Sequence, residues 1–144
     1  MQHHRGGPGI RATPVLYLLA LIAVAAEVAA AWMWASRRFM RYEIAGESML
    51  PALSPGDYVV VDLRAYRRTR PRPGHVVLAR DPRELERTIV KRVARVDLHG
   101  ALWLLGDNPE ASTDSRTFGA VAPEAVIGRV RWRYWPPGAL FRVV

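Results

Sequence analysis

The sequence predicts a mainly β protein: a compact antiparallel β domain preceded by one N-terminal transmembrane helix. Residues 15–35, VLYLLALIAVAAEVAAAWMWA, form an apolar run with a single charge, Glu27. Beyond it the chain changes to short alternating apolar segments broken by Gly and Pro, the pattern of strands joined by turns. No segment of that second part is long and periodic enough for a stable helix. The chain therefore divides into a flexible N-terminal tail (1–13), a transmembrane helix (14–36), a β domain (40–137) and a C-terminal tail (138–144).

The N-terminal tail holds His3 and His4 among Gly and Pro, with no further ligand near them, so they are read as solvated. The apolar run matches the roughly 20 residues needed to cross a bilayer. Its Val, Leu and Ile together favour insertion by about 2.4 to 4.8 kcal/mol, while a central acid such as Glu27 opposes it by about 2.5 to 3.5 kcal/mol. A cleaved signal sequence is the rival reading, and the run is long for one. Arg5 and Arg11 precede the span, whereas Arg37, Arg38 and Arg41 follow it. That bias leans toward a single-pass protein of the cell membrane with its β domain in the cytoplasm.

Six strands are expected, at 41–45, 57–63, 75–80, 88–96, 101–105 and 127–135, separated by the turn signals SPGD, RPRPG, DPRE, DLHG and GDNPEAS. In the last strand Val130, Trp132 and Tyr134 share one face, expected in the core, and Arg129, Arg131 and Arg133 share the other. APEA before Val126 suits a single helical turn. The loop RAYRRTRPRPG (64–74) carries five Arg and reads as solvated, with lipid phosphates or an acidic partner as the alternative. It lacks the aromatic interleaving of a single-stranded nucleic-acid platform, so no nucleic acid is expected as partner.

Composition narrows the chemistry. The 144 residues carry a formal net charge of +8 and no cysteine, which excludes disulfides and thiolate zinc sites. Twenty of the 21 Lys and Arg residues are Arg; the exception is Lys91, in RTIVKRVARV. A guanidinium stays protonated in proteins, so only Lys can serve where a basic side chain must give up its proton. The strand period places Lys91 on one face with Ile89 and Val93 and turns Arg92 away. A free amine of pKa about 10.4 is neutral in only about one molecule in 2,500 at pH 7. Recovering that handicap takes a shift of roughly 3.4 units, within the range of about 3 to 5 that apolar burial supplies.

Two further places stand out. IAGESMLPALSPGD (44–57) sets Ser48 just past an expected strand, in a Gly-containing turn with Pro51 and Pro55 fixing its exit. A serine so held, with backbone N–H groups nearby, can act as a nucleophile beside an oxyanion site, or simply bond the backbone. GDNPEASTDSRTFG (106–119) gathers Asp, Asn, Ser and Arg, and read without its neighbours is an elaborate polar loop. The four His lie in the tail or beside turn glycines, so a base for Ser48 points to Lys91.

GESMLPALSPGD, then VKRV, then GDNPEASTDSRTFGAV, then IGRV resemble the ordered motifs of the signal peptidase I family, over roughly residues 42–135. The resemblance implies a signal-peptidase-like β domain and a membrane-associated serine peptidase with a Ser–Lys dyad that needs no cofactor. By position, Ser48 resembles the nucleophile, Lys91 the general base and Ser112 the hydroxyl that orients the amine. Asp114 and Arg116 match a salt-bridged pair bracing the site, and Gly106, Asp107 and Asn108 open that motif. Gly46, Glu47 and Met49 fall beside the nucleophile, where oxyanion and substrate would lie. Gly46 stands where some members carry a second Ser, Gly74-His75 replaces a Gly-Asp pair, VARVDLHG replaces a Gly-Pro-Gly-Asp pattern, and there is no large inserted domain. The compact size, the LLGDNPEASTDSRTFGAV box and the RYWPP end are most similar to the branch that matures nickel-type superoxide dismutase. That branch implies a precursor with an N-terminal leader as substrate and the lipid bilayer as the other partner. A general signal peptidase and a non-catalytic basic membrane module are the alternatives. A self-cleaving repressor would need a helix-turn-helix and an Ala-Gly linker site, neither of which is evident.

Overall fold

In the computed structural model, residues 14–136 and 141–142 are described. They belong to two compact units, one ending at Ala35 and the other beginning at Ser36. Helix α1, Pro14–Arg38, accounts for the first and runs two residues beyond the expected 36. Pro14 suits a first helical position, and Arg37 and Arg38 in the last turn complement the negative end of the helix dipole. Its 25 residues reach about 37 Å, enough for a hydrocarbon core of about 30 Å, and none of them is buried in protein. Among the described residues it is the one helix long and apolar enough to cross a membrane.

The second unit is antiparallel β. Its strands are β1 (Phe39–Glu43), β2 (Tyr58–Asp62), β3 (Val76–Asp81), β4 (Glu84–Val96), β5 (Leu102–Leu105), β6 (Val126–Trp135) and β7 (Phe141–Arg142). They form one sheet ordered β1-β2-β6-β3-β4-β5, with β7 also pairing β6. The six expected strands are present with shifted ends. The largest shift is at β4, which starts at Glu84 because Asp81 pairs with Glu84 and closes a tight hairpin. Glu84 to Arg87 are all exposed, so that stretch lacks the burial alternation that marks a strand. The expected turn at APEA is a 3₁₀ turn, Pro123–Ala125. A one-turn helix, α2 (Ser115–Phe118), was not expected; Asp114 caps it through the Arg116 amide. Phe141–Arg142 pairs β6 from within the expected C-terminal tail, and His3 and His4 lie outside the described residues.

One face assignment is corrected. Val130 is fully buried, but Trp132 is 39% exposed. β3 pairs β6 only over Val126 to Arg129, and at Trp132 and Arg133 the strand pairs β7 instead, so this part of β6 extends past the β3 side of the core. Gly128 lets β6 lie close to β2, since a Cβ there would stand 2.7 Å from Val61 Cγ1 and 2.8 Å from the Asp62 carbonyl oxygen.

Two apolar clusters make the core. Val76 and Leu78 of β3 and Val90 of β4 join one, with Ile44, Met49 and Leu53. Val77, Ala79, Ile89 and Val93 join the other, with Leu102, Leu104 and Val121. Both faces of the β3–β4 ribbon are therefore buried where Lys91 sits. The sheet curls enough that Tyr42 Oη of β1 lies 3.0 Å from Thr88 Oγ1 of β4, although the two strands are not neighbours.

Candidate active site

Ser48 lies in the loop joining β1 to β2. Hydrogen bonds from Ile44 N to the Asp57 carbonyl and from Gly56 N to the Ile44 carbonyl, both 2.8 Å, close the neck of that loop. Inside it, Leu50 N donates to the Glu47 carbonyl at 3.1 Å and Leu53 N to the Met49 carbonyl at 2.9 Å. Met49 and Leu53 are buried in the core and pin the loop from below. Ser48, between exposed Glu47 and buried Met49, keeps partial access to solvent.

Lys91 stands opposite Val77 in the β3–β4 ladder and is 4% exposed. Burial lowers its pKa. The charge of Asp114 works against that shift, Arg87 with it, Asp81 against it and Arg116 with it, and the net direction is down. As the strand period implies, Ile89 and Val93 are buried beside it and Arg92 turns elsewhere. Val90 is buried as well, which period alone did not indicate.

Ser48 and Lys91 line one cleft of about 260 Å³. Gly46, Glu47 and Met49 line it on the Ser48 side, with Tyr42 and Ile44, while Thr88, Ile89 and Val90 lead up to Lys91 on the other. Arg83 and Arg87 also line it, a feature the sequence reading missed, as do Ala111 and Thr113. Arg83 makes a two-pronged bond to fully buried Asp81, at 3.0 and 2.7 Å, and Arg87 approaches the same carboxylate at 3.9 Å. The available signal was the Asp of DPRE, two residues ahead of an Arg in a turn.

Behind the cleft, residues 106–116 bind the two halves together. A Cβ on Gly106 would collide with the Ser112 Oγ and lie 2.5 Å from the Ser48 carbonyl oxygen, so only glycine fits between them. Asp107 grips Arg92, the neighbour of Lys91, at 2.8 and 2.7 Å. Asn108 N donates to the Ser48 carbonyl at 2.9 Å, and Asn108 Nδ2 to the Glu47 carbonyl at 3.2 Å. Fully buried Asp114 accepts from Gly106 N at 2.9 Å, from Ser112 Oγ at 2.6 Å and from both prongs of Arg116 at 2.9 and 2.6 Å. Burial pushes the Asp114 carboxyl up, but the Arg116, Ser112 and backbone hydrogen bonds outweigh it and hold it far below the usual carboxylate range. The Ser112 proton is thus committed to Asp114, which leaves its lone pairs as what it can offer an amine. Ser115, which the sequence reading passed over, is buried and accepts from Leu104 N at 2.8 Å. Among the described residues no cluster of three or more His, Asp or Glu could hold a metal ion.

The model of the family described as "Signal peptidase, peptidase S26" matches residues 15–97 and 98–135, nearly all of the described chain. The chain belongs to that family. The mitochondrial ATP-independent inner membrane protease subunit 1a of Arabidopsis thaliana is 35% identical over 114 residues, covering 64% of this chain and 68% of the relative. Subunit 1b of the same plant is 32% identical over 120 residues, 68% of this chain and 70% of the relative. Signal peptidase IB of Staphylococcus aureus is 46% identical over a shorter stretch of 37 residues, 26% of this chain and 19% of the relative. Peptidase S26 signal peptidases are serine peptidases, so the chain is a hydrolase of that family, and its apolar helix makes it a membrane protein.

Gly106→Ala is expected to leave the strands formed but lower kcat/KM by about 10²-fold, because the Ser48 carbonyl must shift to admit a Cβ. Circular dichroism beside a cleavage assay checks this; undiminished turnover would mean Gly106 does not set the position of Ser48. Asp114→Ala is expected to lower stability by about 2–4 kcal/mol, since buried donors lose their acceptor. As the folded pKa of Asp114 is depressed, its contribution is complete above the unfolded value of about 3.9 and is lost as pH falls through the folded one. Denaturation curves of the two proteins should be fully separated at neutral pH and converge in strong acid; a gap persisting in acid would place the stabilisation elsewhere.

Proposed function

We propose that this chain is a membrane-anchored, single-pass serine endopeptidase that removes an N-terminal leader from a precursor protein, with Ser48 as nucleophile and Lys91 as general base. The observation that carries the reading is the burial of the chain's one lysine on the wall of the cleft that Ser48 lines. A buried amine is driven toward its neutral form, and a neutral amine can take the Ser48 proton. Ser48 Oγ then bonds to the scissile carbonyl carbon, the Ser48 N–H stabilises the oxyanion, and protonated Lys91 returns its proton to the departing amine. Water, deprotonated by Lys91, hydrolyses the ester and frees Ser48. Ser112 serves as acceptor for a Lys91 N–H, fixing the amine by way of Asp114.

For the substrate we infer a nickel-type superoxide dismutase precursor, on the similarity of LLGDNPEASTDSRTFGAV and RYWPP to that branch; the nickel belongs to the substrate. Arg37, Arg38 and Arg41 after the span support a cytoplasmic catalytic domain. The second reading is cleavage of exported preproteins, which the likeness to signal peptidase IB favours.

The detergent-solubilised chain and its Ser48→Ala variant, offered a nickel superoxide dismutase precursor and a secretory preprotein, separate the readings by mass spectrometry. Ser48-dependent cutting of the first alone is expected, and cutting of the second alone would establish the other reading. Lys91→Arg keeps the charge but not the base, and is expected to lower kcat by about 10²–10⁴-fold; a variant of normal activity would remove Lys91 from the mechanism. Because the neutral amine is the active form, kcat/KM should rise with pH along one limb centred below about 10.4. A limb at the free-lysine value would contradict a base desolvated in the cleft.

A further inference from the structure

The arginines of the 64–72 loop take no part in the cleft, and their placement is specific. In the β1–β2 ladder Phe39 pairs Asp62, so the loop leaves β2 at the end of the sheet where the chain arrives from Arg38. Leu63 N donates to the Arg38 carbonyl at 2.9 Å, and the Arg38 guanidinium bonds Asp62. Asp62 pairs in register with Arg129, and Arg131 approaches its carboxylate at 3.5 Å, so β6 brings two more arginines to this end. The loop then crosses to the β4–β5 turn, where Arg70 and Pro71 line one small cavity with Val96, His99 and Gly100. Leu98, at the tip of that turn, is wholly exposed. Arg67, Arg68, Arg70 and Arg72 are exposed and form no ion pair among the described residues.

We propose that this loop, with the β4–β5 turn it meets, docks on an anionic bilayer, with the loop arginines on lipid phosphates and Leu98 at the acyl boundary. Connectivity argues for a membrane: Arg37 and Arg38 directly follow the apolar run, so a spanning α1 holds this end within a few residues of the headgroups. Clustered arginines beside a span attract anionic headgroups, and the effect is local to a Debye length. The exposed leucine distinguishes a bilayer from a soluble polyanion, which gives an apolar tip nothing to enter. The positive field is felt inside the domain: burial lowers the His75 pKa first, and Arg129, Arg131 and Arg72 lower it further.

The proposal rests on α1 spanning the bilayer, as argued for the function above. The chain has no cysteine, so Thr69→Cys places a unique thiol in the loop, and Leu85→Cys places one on exposed β4, at the end of that strand away from the β4–β5 turn. Full-length chains would go into nanodiscs of phosphatidylcholine alone or with about 30 mol% phosphatidylglycerol, and thiol reaction with a neutral maleimide would be timed. On the anionic discs the loop thiol should react about tenfold more slowly, with the Leu85→Cys thiol unchanged. Protection should vanish near 1 M NaCl, where the Debye length is about 3 Å, and weaken with Arg67→Gln/Arg68→Gln or Leu98→Asp. Equal rates at the loop on both discs, or equal slowing at both thiols, would overturn docking while leaving the anchor and the peptidase in place. Loop protection by added RNA but not by phosphatidylglycerol would overturn it in favour of a soluble polyanion. A chain that fails to float with the discs would overturn the span and the docking together.

Discussion

The candidate site depends on one buried carboxylate. Asp114 is out of contact with solvent yet satisfied from every side, by the Gly106 amide, the Ser112 hydroxyl and the Arg116 guanidinium. An unpaired charge in that position would cost several kcal/mol, so the three donors must be where they are whenever Asp114 is ionised. Two of them border the loop that carries Ser48. Gly106 is close enough to Ser48 to exclude a methyl group, and Ser112 fills the other side of the same gap. Ionisation of Asp114 therefore fixes the backbone against which Ser48 rests. The one-turn helix α2 follows from the same residue, because its cap and the acceptor of the site are a single side chain.

Lys91 is governed by an opposite logic. Its surroundings penalise charge, and the carboxylates that would restore it are already engaged: Asp114 by Arg116 and Ser112, Asp81 by Arg83. Each carboxylate's negative field is partly cancelled by its own guanidinium before it reaches the amine. Position 91 thus sees two Asp and two Arg of opposing effect, and burial decides the direction. A lone Asp nearby would oppose that shift with no cation to offset it.

Much of this was legible in the sequence. The alternation that marked β2, β5 and β6 is produced by a half-buried sheet, β3 is a short apolar run buried on both faces, and the placement of Lys91 with Ile89 and Val93 follows from a period of two. What was not legible depends on partners distant in sequence or on exposure. Residues 84–87 form strand without burying anything, so β4 looked shorter than it is. Trp132 looked like core because the alternation continues past the point where β3 stops. The grip of Asp107 on Arg92 joins residues 15 apart, and nothing local to either one indicates the other. Arg83 and Arg87 were invisible as cleft residues for a related reason: a hairpin turn tells which strands meet, not which cavity its side chains border.

The arginine bias acquires a meaning once the carboxylates are placed. Asp57, Asp62, Asp81, Asp107 and Asp114 are each paired with an arginine, respectively Arg133, Arg38, Arg83, Arg92 and Arg116. In all five the guanidinium reaches a carboxylate that is largely withdrawn from water; Arg38, Arg83, Arg92 and Arg116 each do so with two prongs of a planar, permanently charged fork that an ammonium cannot match, and Arg133 reaches Asp57 through Nη1 at 3.0 Å. Lysine at those positions would bring a charge that burial can remove, and each buried carboxylate would lose its guarantee of a cation. At position 91 the same property is what the proposed general base requires. A domain that braces its strands with permanent cations and keeps a single removable one has separated two functions by residue type. The excess positive charge then falls to the exposed loop, where it is free to meet something outside the chain.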